Sequence, residues 1–134
     1  MSSPFLADII YDDGLNVLRN ASLANDADLH ICSQAPTTFT EATDTFTFGN
    51  KEDITISAPA DIDNPGEGRQ VTVSPIVSGT VTGTGTATHY AIVDSENNVL
   101  LAVQELDESQ VVTTGNTFSL TSFTIGIPGP VPTA

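Results

Sequence analysis

Hydrophobic and polar residues alternate with a period of two over most of the chain. Ile54 and Ile56 are separated by a threonine, and so are Val71 and Val73. Successive side chains of a strand point to opposite faces of a sheet, so each pair marks a face that can be buried. The pattern predicts a mainly β chain, folded as an antiparallel β-sandwich or jelly roll of seven to eight strands. The length of 134 residues predicts a single domain over residues 1–134.

The predicted strands lie within residues 28–127 and are separated by residues that favour turns. They cover 28–33, 52–58, 71–74, 80–93, 99–106, 110–113 and 118–127, with turns at 94–98 and 114–116. The segment from Ala35 to Asp44 is open to two interpretations, a loop or one helical turn. Pro75 follows a strand and favours an edge strand or a bulge there.

The segment from Thr80 to Val93 has the clearest alternation. Every even position from Thr80 to Thr88 is threonine, whereas the odd positions carry small or apolar residues that include Gly83 and Gly85. A strand with glycine on one face accommodates a bulky group close to its backbone. After Thr88 both faces become apolar, which predicts that this half of the strand is central and buried on both sides.

The last predicted strand changes phase. Phe118 and Leu120 occupy even positions, whereas Phe123, Ile125 and Ile127 occupy odd ones. One extra residue near 121–122 would let both groups face the core, as in a β-bulge. A Pro- and Gly-rich tail, 128–134, follows.

One amphipathic helix is predicted at about residues 4–19, with Ser3 as N-cap and Pro4 as first helical residue. Its apolar positions recur at helical spacing: Leu6, Ile9, Ile10, Gly14, Val17 and Leu18. A loop over 20–28 would follow. The helix either covers one end of the sandwich or docks on a partner protein.

The charge excludes two classes of partner. The chain has 17 acidic residues against three basic ones, a formal net charge of −14. Affinity for nucleic acid comes largely from Lys and Arg that neutralise phosphates, so we expect no nucleic-acid partner. An anionic membrane surface is disfavoured for the same reason. The charge favours solubility.

Candidate catalytic groups are few. His30 and His89 are far apart in the sequence and match no metal-ligand spacing. His89 is predicted to be a hydrogen-bonded histidine of the core or of an interface, and Cys32 a small core residue. No nucleophile elbow, phosphate-binding loop or dinucleotide motif is present. We therefore expect a protein that is not an enzyme and uses no cofactor.

One loop partly matches a calcium site. Asp61, Asp63 and Glu67 supply carboxylates, and a glycine occupies the sixth position as in a calcium-binding loop. Pro65 occupies the fifth position and Thr72 the twelfth, where a bidentate glutamate is required. A solvated acidic loop explains the segment better.

Residues 1–5 lack the pattern of a signal peptide, and no segment approaches the ~20 apolar residues of a membrane span. Cys32 is the sole cysteine, so the chain has no intrachain disulfide. These features predict synthesis in a reducing cytosol, where the protein stays unless it leaves as part of a larger particle, and no membrane partner.

Several segments, taken in order, resemble a family of small virion proteins of tailed bacteriophages and prophages. The resemblance covers nearly the whole chain, and no single segment has a chemical meaning of its own. The segments that carry it are 29–33 (LHICS), 36–38 (PTT), 41–43 (EAT), 49–51 (GNK), 68–74 (GRQVTVS), 82–89 (TGTGTATH) and 115–118 (GNTF).

This resemblance implies a structural component of a phage particle, with no catalytic residues to transfer. The preferred role is a capsid decoration, or cement, protein that binds the major capsid protein on the outside of the shell. A tail- or fibre-associated component that binds a receptor is the alternative. A carbohydrate-binding β-sandwich is a third possibility, disfavoured because the chain has no Trp and only two Tyr.

We also expect the chain to associate with itself as a dimer or trimer. The helix and the apolar half of the 80–93 strand together offer more apolar surface than one small sandwich needs. The interface candidates are Leu6, Ile9, Ile10, Tyr90 and Ile92.

Overall fold

The computed structural model describes the backbone of residues 8–62 and 68–128 and the side chains of 13–62 and 68–127. Within these residues the chain is mainly β, with one α-helix and one short π-helical turn, as the alternation predicts. The helix is α1 (Asp8–Leu23) and the π-helical turn is Glu41–Thr45. The nine strands are β1 (Ala27–Cys32), β2 (Thr47–Lys51), β3 (Ala60–Asp61), β4 (Gly68–Val73), β5 (Ile76–Val81), β6 (Gly85–Asp94), β7 (Val99–Val112), β8 (Thr117–Leu120) and β9 (Phe123–Pro128).

The strands form two antiparallel sheets. The larger is a curled sheet of six strands in the order β7-β6-β1-β2-β5-β8, and the smaller has three in the order β3-β4-β9. One cluster of buried residues includes side chains from α1 and from both sheets, among them Leu15, Leu29, Val71 and Ile92. The described chain thus has more strands than the seven to eight predicted. The prediction of a single domain stays a prediction.

Helix α1 is longer at its C-terminal end than predicted. It continues to Leu23, so the first residues of the expected 20–28 loop are helical, and β1 begins at Ala27. The predicted N-cap Ser3 and first helical residue Pro4 lie outside the described residues.

The buried face of α1 also differs from the predicted one. Leu15, Leu18 and Ala21 are buried, whereas Val17 is 53% exposed. The predicted face was therefore wrong at Gly14 and Val17, which are exposed, and omitted Leu15. The spacing of three residues from Leu15 to Leu18 to Ala21 follows one side of a helix.

The segment around Ile54 and Ile56 shows the predicted burial without the predicted strand. Both isoleucines are buried, and a single isolated bridge joins Ile56 to Val73. Helix α1 supplies the remaining partners: the Arg19 guanidinium donates to the Ile56 carbonyl at 2.9 Å, and the Ser22 hydroxyl donates to the Ile54 carbonyl at 2.9 Å. Two helix side chains thus take the place of a neighbouring strand on that side.

The threonine-rich segment is two strands rather than one. β5 ends at Val81 and β6 begins at Gly85, and the two strands lie on opposite sides of the β1–β2 pair. The even-numbered threonines 80, 82, 84 and 86 are exposed. The expected bulky group on the glycine face is Phe48, whose ring would lie within about 3.1 Å of a Cβ at Gly83 or Gly85.

The second half of β6 is buried on both sides, as predicted. Tyr90 and Ile92 belong to the main cluster, whereas Ala91 and Val93 form a second one with Cys32 and Ala42. Ala42 lies in the π-helical turn, so the segment that was open to two interpretations is helical there and covers the outer face of β1 and β6.

The phase change after Phe118 marks a passage between sheets. β8 pairs with β5 in the larger sheet, and β9 pairs with β4 in the smaller one. Phe118 is buried, and Phe123, Ile125 and Ile127 pack on the main cluster while partly buried. Residues 121–122 therefore carry the predicted irregularity, but they connect two strands instead of forming a bulge within one.

Pro75 also lies at a passage between sheets. It connects β4 of the smaller sheet with β5 of the larger one, so the expected edge strand or bulge is a link between sheets.

A further correction concerns β7: the two strands expected at 99–106 and 110–113 are one strand of 14 residues, Val99–Val112. The predicted turns at 94–98 and 114–116 are present.

Candidate binding cleft

A cleft of about 670 Å³ lies between the two edge strands of the larger sheet. One wall is formed by residues 104–108 and Gln110 of β7, and the other by residues 119–124, which pass from β8 to β9. β7 and β8 stand at opposite ends of the strand order but line the same cleft, so the curled sheet brings these parts of its two edges close together. The cleft is the open seam of that curled sheet.

An irregularity in β7 shapes the first wall. Ala87 of β6 pairs with Gln110, and His89 pairs with Glu105, so residues 106–109 of β7 stand opposite Thr88 alone. Such a bulge bends the strand and redirects its side chains. Leu106 packs on the main cluster, whereas Asp107 and Glu108 are exposed at the cleft.

The floor of the cleft is aromatic. The ring of Tyr90 lies against that of Phe123, with centroids 4.5 Å apart and planes at 42°. The Tyr90 hydroxyl donates to Gln104 Oε1 at 2.8 Å, which fixes the phenol below the β7 wall. Burial, and after it the Asp107 carboxylate, raises the pKa of Tyr90 to about 12. The phenol therefore stays neutral and acts as a hydrogen-bond donor.

The cleft is acidic. Glu105, Asp107 and Glu108 line it, together with hydroxyl and amide side chains, and no Lys, Arg or His is among its lining residues. Its volume falls in the ~300–1,000 Å³ range of ligand sites, but nine of its thirteen lining residues are polar or acidic, so it is an open polar groove over an aromatic floor. The carboxylates favour a cationic occupant.

The structure places the two histidines as hydrogen-bonded residues of the larger sheet. His30 is 8% exposed, and its Nδ1 lies 3.0 Å from the Thr47 hydroxyl. Burial lowers the pKa of His30 to about 4. His89 is half-buried, and its Nδ1 lies 2.8 Å from the Thr88 hydroxyl, so the prediction of a hydrogen-bonded histidine is confirmed.

Cys32 stands directly opposite His89 in the pairing of β1 with β6, a proximity that sequence reasoning missed. The thiol is fully buried and lies 3.7 Å from the Ala42 carbonyl oxygen. Burial raises the pKa of Cys32 to about 11, so the thiol is protonated at neutral pH. A thiolate is required of a cysteine nucleophile, and this environment opposes it. Cys32 is a core residue, as predicted.

The partial calcium loop lies mostly outside the described residues, since Asp63 and Glu67 fall there. Asp61 is described, and its carboxylate accepts a hydrogen bond from the Arg69 guanidinium at 2.8 Å. In the described parts of the chain, no group of three or more His, Cys, Asp or Glu side chains is placed to hold a metal ion.

The structure corrects two of the five interface candidates. Tyr90 is 5% exposed and Ile92 fully buried, so neither offers apolar surface to a second copy. The strand lies inside the larger sheet, and the smaller sheet covers Tyr90 through Phe123. Leu6 and the side chains of Ile9 and Ile10 lie outside the described residues.

Comparison with family models, curated proteins and solved structures found no match to this chain. The resemblance to phage virion proteins therefore stays a prediction. Among the described helices, none is long and apolar enough to cross a membrane.

Proposed function

We propose that the chain is a non-enzymatic bacteriophage virion protein that decorates the capsid exterior and binds the major capsid protein across subunit seams. The cleft carries this proposal, because it combines a recessed aromatic floor with an acidic rim and has the features of a binding surface. Tyr90 is the buried titratable group at its floor, and its raised pKa suits a hydrogen-bonding role.

The architecture supports the same role. A cement protein must be soluble before assembly and must not bind the packaged nucleic acid, and a net charge of −14 favours both. As part of the proposal, the two sheets stack as a β-sandwich; the buried cluster that joins them and the Tyr90–Phe123 contact support this arrangement.

Stabilisation of a shell would follow from mass action. A protein that binds the assembled shell and not its separated subunits shifts the equilibrium toward the shell. An interface of about 1,600 Å² in total suffices for specific docking, and many seams on one particle multiply the effect. No chemical step is required.

Self-association as a dimer or trimer is part of the proposal, on the helix that was expected to take part but without Tyr90 and Ile92. Val17 and Leu23 of α1 are 53% and 64% exposed, so the helix offers apolar side chains to a second copy. Light scattering on the purified protein tests this: a Val17→Ser/Leu23→Ser variant should have a smaller mass than wild type. A wild type that is monomeric at all concentrations contradicts it.

Electron cryomicroscopy of virions made with and without the gene tests the main proposal. We expect density for the protein on the outside of the capsid at positions between major capsid subunits. Virions that lack it should release DNA at a lower temperature than wild type. Density confined to the tail, or equal heat resistance of the two particles, contradicts the cement role and favours the tail-associated alternative.

A further inference from the structure

Among the described strands, the two that bound the cleft each have a strand neighbour on one side only. β7 pairs with β6 and β8 pairs with β5, although β7 and β8 follow each other in the chain through the 113–116 turn. An edge strand offers backbone donors and acceptors to an added segment, and extended peptides use such edges in many complexes. The cleft between these two strand edges therefore fits an extended segment.

The charge of the cleft determines which kind of side chain the added segment must carry. Its three acids are exposed side chains of β7, and its lining includes no basic residue. The partly buried ring of Phe123 lies at the floor between the two walls. An arginine satisfies both features, because its planar guanidinium pairs with carboxylates and packs on an aromatic ring.

We propose that the cleft between β7 and β8 receives an extended, arginine-bearing segment of a partner protein, with the guanidinium over Phe123 and beside Asp107. This inference rests on the proposed function, since the partner would be the subunit that the protein decorates. It specifies the chemistry of the contact: backbone pairing along an edge strand and ion pairing at the β7 bulge.

A second copy of this chain fits the cleft poorly. The whole chain has three basic residues. Two of them are engaged within it, since Arg19 donates to the Ile56 carbonyl and Arg69 to the Asp61 carboxylate. The acids of the cleft therefore favour a partner segment that supplies a free cation over a segment of a second copy.

A peptide titration followed by NMR tests the proposal. The probe is the acetylated, amidated pentapeptide Thr-Val-Arg-Val-Thr, added to the ¹⁵N-labelled full-length chain. We expect saturable shifts of backbone amides confined to residues 104–110 and 119–124. Citrulline in place of arginine keeps the shape and removes the charge, so that peptide should bind at least tenfold more weakly, and added salt should weaken the arginine peptide.

Two triple variants with equal changes in charge distinguish binding at the cleft from an effect of the overall negative charge. The cleft variant carries Glu105→Gln, Asp107→Asn and Glu108→Gln. The control carries Asp44→Asn, Glu52→Gln and Glu96→Gln, which are exposed acids outside the cleft. We expect the cleft variant to lose about tenfold or more in affinity and the control less than twofold. The single substitution Asp107→Lys should also abolish binding.

Equal losses in both triple variants, shifts spread over the whole surface, or equal binding of the citrulline peptide would overturn the inference. A changed oligomeric state in the cleft variant alone would show that a second copy occupies the cleft, and would overturn it as well. The proposed function fails separately. If wild type decorates capsids and the cleft variant decorates them equally, the inference is wrong and the proposed function stands. If the protein binds the peptide but is absent from capsids, the proposed function is wrong and the binding chemistry of the cleft stands.

Discussion

The Ser22 hydroxyl and the backbone of Ile56 form a hydrogen bond of 3.0 Å, in which the Ile56 amide donates to the serine oxygen. The same hydroxyl donates to the Ile54 carbonyl. One side chain of α1 thus satisfies a donor and an acceptor for which a strand would otherwise need a neighbour. Both isoleucines are buried, so water is a poor substitute.

We expect Ser22→Ala to lower the free energy of unfolding by about 2 kcal/mol, because it leaves a backbone donor and acceptor unsatisfied in a buried segment. Urea denaturation followed by circular dichroism measures this. Ser109→Ala, at an exposed serine of β7, is the control and should change stability by less than about 0.5 kcal/mol. Equal effects of the two substitutions would contradict the structural role of Ser22.

This pair also shows how far the sequence predicts the fold. The alternation of Ile54 and Ile56 predicts which side chains are buried, because burial depends on side-chain chemistry. It does not predict what pairs with the backbone there, because the partner is a serine 32 residues earlier. Likewise β5 and β6 share the phase of the threonine series, so the pattern cannot reveal the break between them.

The cleft could not be predicted from the pattern at all. Glu105, Asp107 and Glu108 look like the ordinary solvent face of a strand, and the hydroxyl residues at 119–124 look like a turn. They form one site because the sheet curls and the β7 bulge turns its acids toward the opposite edge. Both causes are long-range, and neither leaves a local signal.

The surroundings of two glycines, Gly49 and Gly14, predict opposite effects of substitution by alanine. A Cβ at Gly49 would overlap the carbonyl oxygen of Thr80 and lie 3.0 Å from the Cα of Val81, and backbone of a paired strand cannot move away cheaply. We expect Gly49→Ala to destabilise the protein by about 3 kcal/mol.

Gly14 lies within α1. The atom nearest to a Cβ added there would be Ile127 Cδ1, at 3.4 Å. Alanine lowers the conformational entropy lost on forming a helix, so Gly14→Ala should stabilise by about 0.5–1 kcal/mol. Thermal and urea denaturation of both variants test the pair. Stabilisation by Gly49→Ala, or a loss with Gly14→Ala, would show that the strand or helix packing differs from that described.

The sole cysteine provides a simple test of the packing between β1 and the π-helical turn. Cys32 is fully buried and burial raises its pKa to about 11, so both access and thiolate formation are suppressed. We expect no reaction with Ellman's reagent at pH 8 within an hour, and one thiol per chain in 6 M urea. Rapid reaction of the native protein would contradict the burial of Cys32.

The buried His30 predicts a loss of stability in mild acid. Its pKa is lowered to about 4 in the folded chain by burial, against 6.5 when unfolded. Between these values the unfolded chain binds a proton that the folded chain does not. Stability is therefore complete above pH 6.5 and falls as the pH decreases toward 4.

At pH 5 the loss from His30 should be about 2 kcal/mol relative to pH 7.5, since each pH unit below 6.5 contributes about 1.4 kcal/mol. Carboxylates also titrate in acid, so the measurement is the difference between wild type and His30→Gln in urea denaturation at the two pH values. His30→Gln should lack this part of the pH dependence, whereas the matched variant His89→Gln should retain it. Parallel curves for wild type and His30→Gln would mean that the imidazole accepts a proton in the folded chain, and that burial does not hold it neutral.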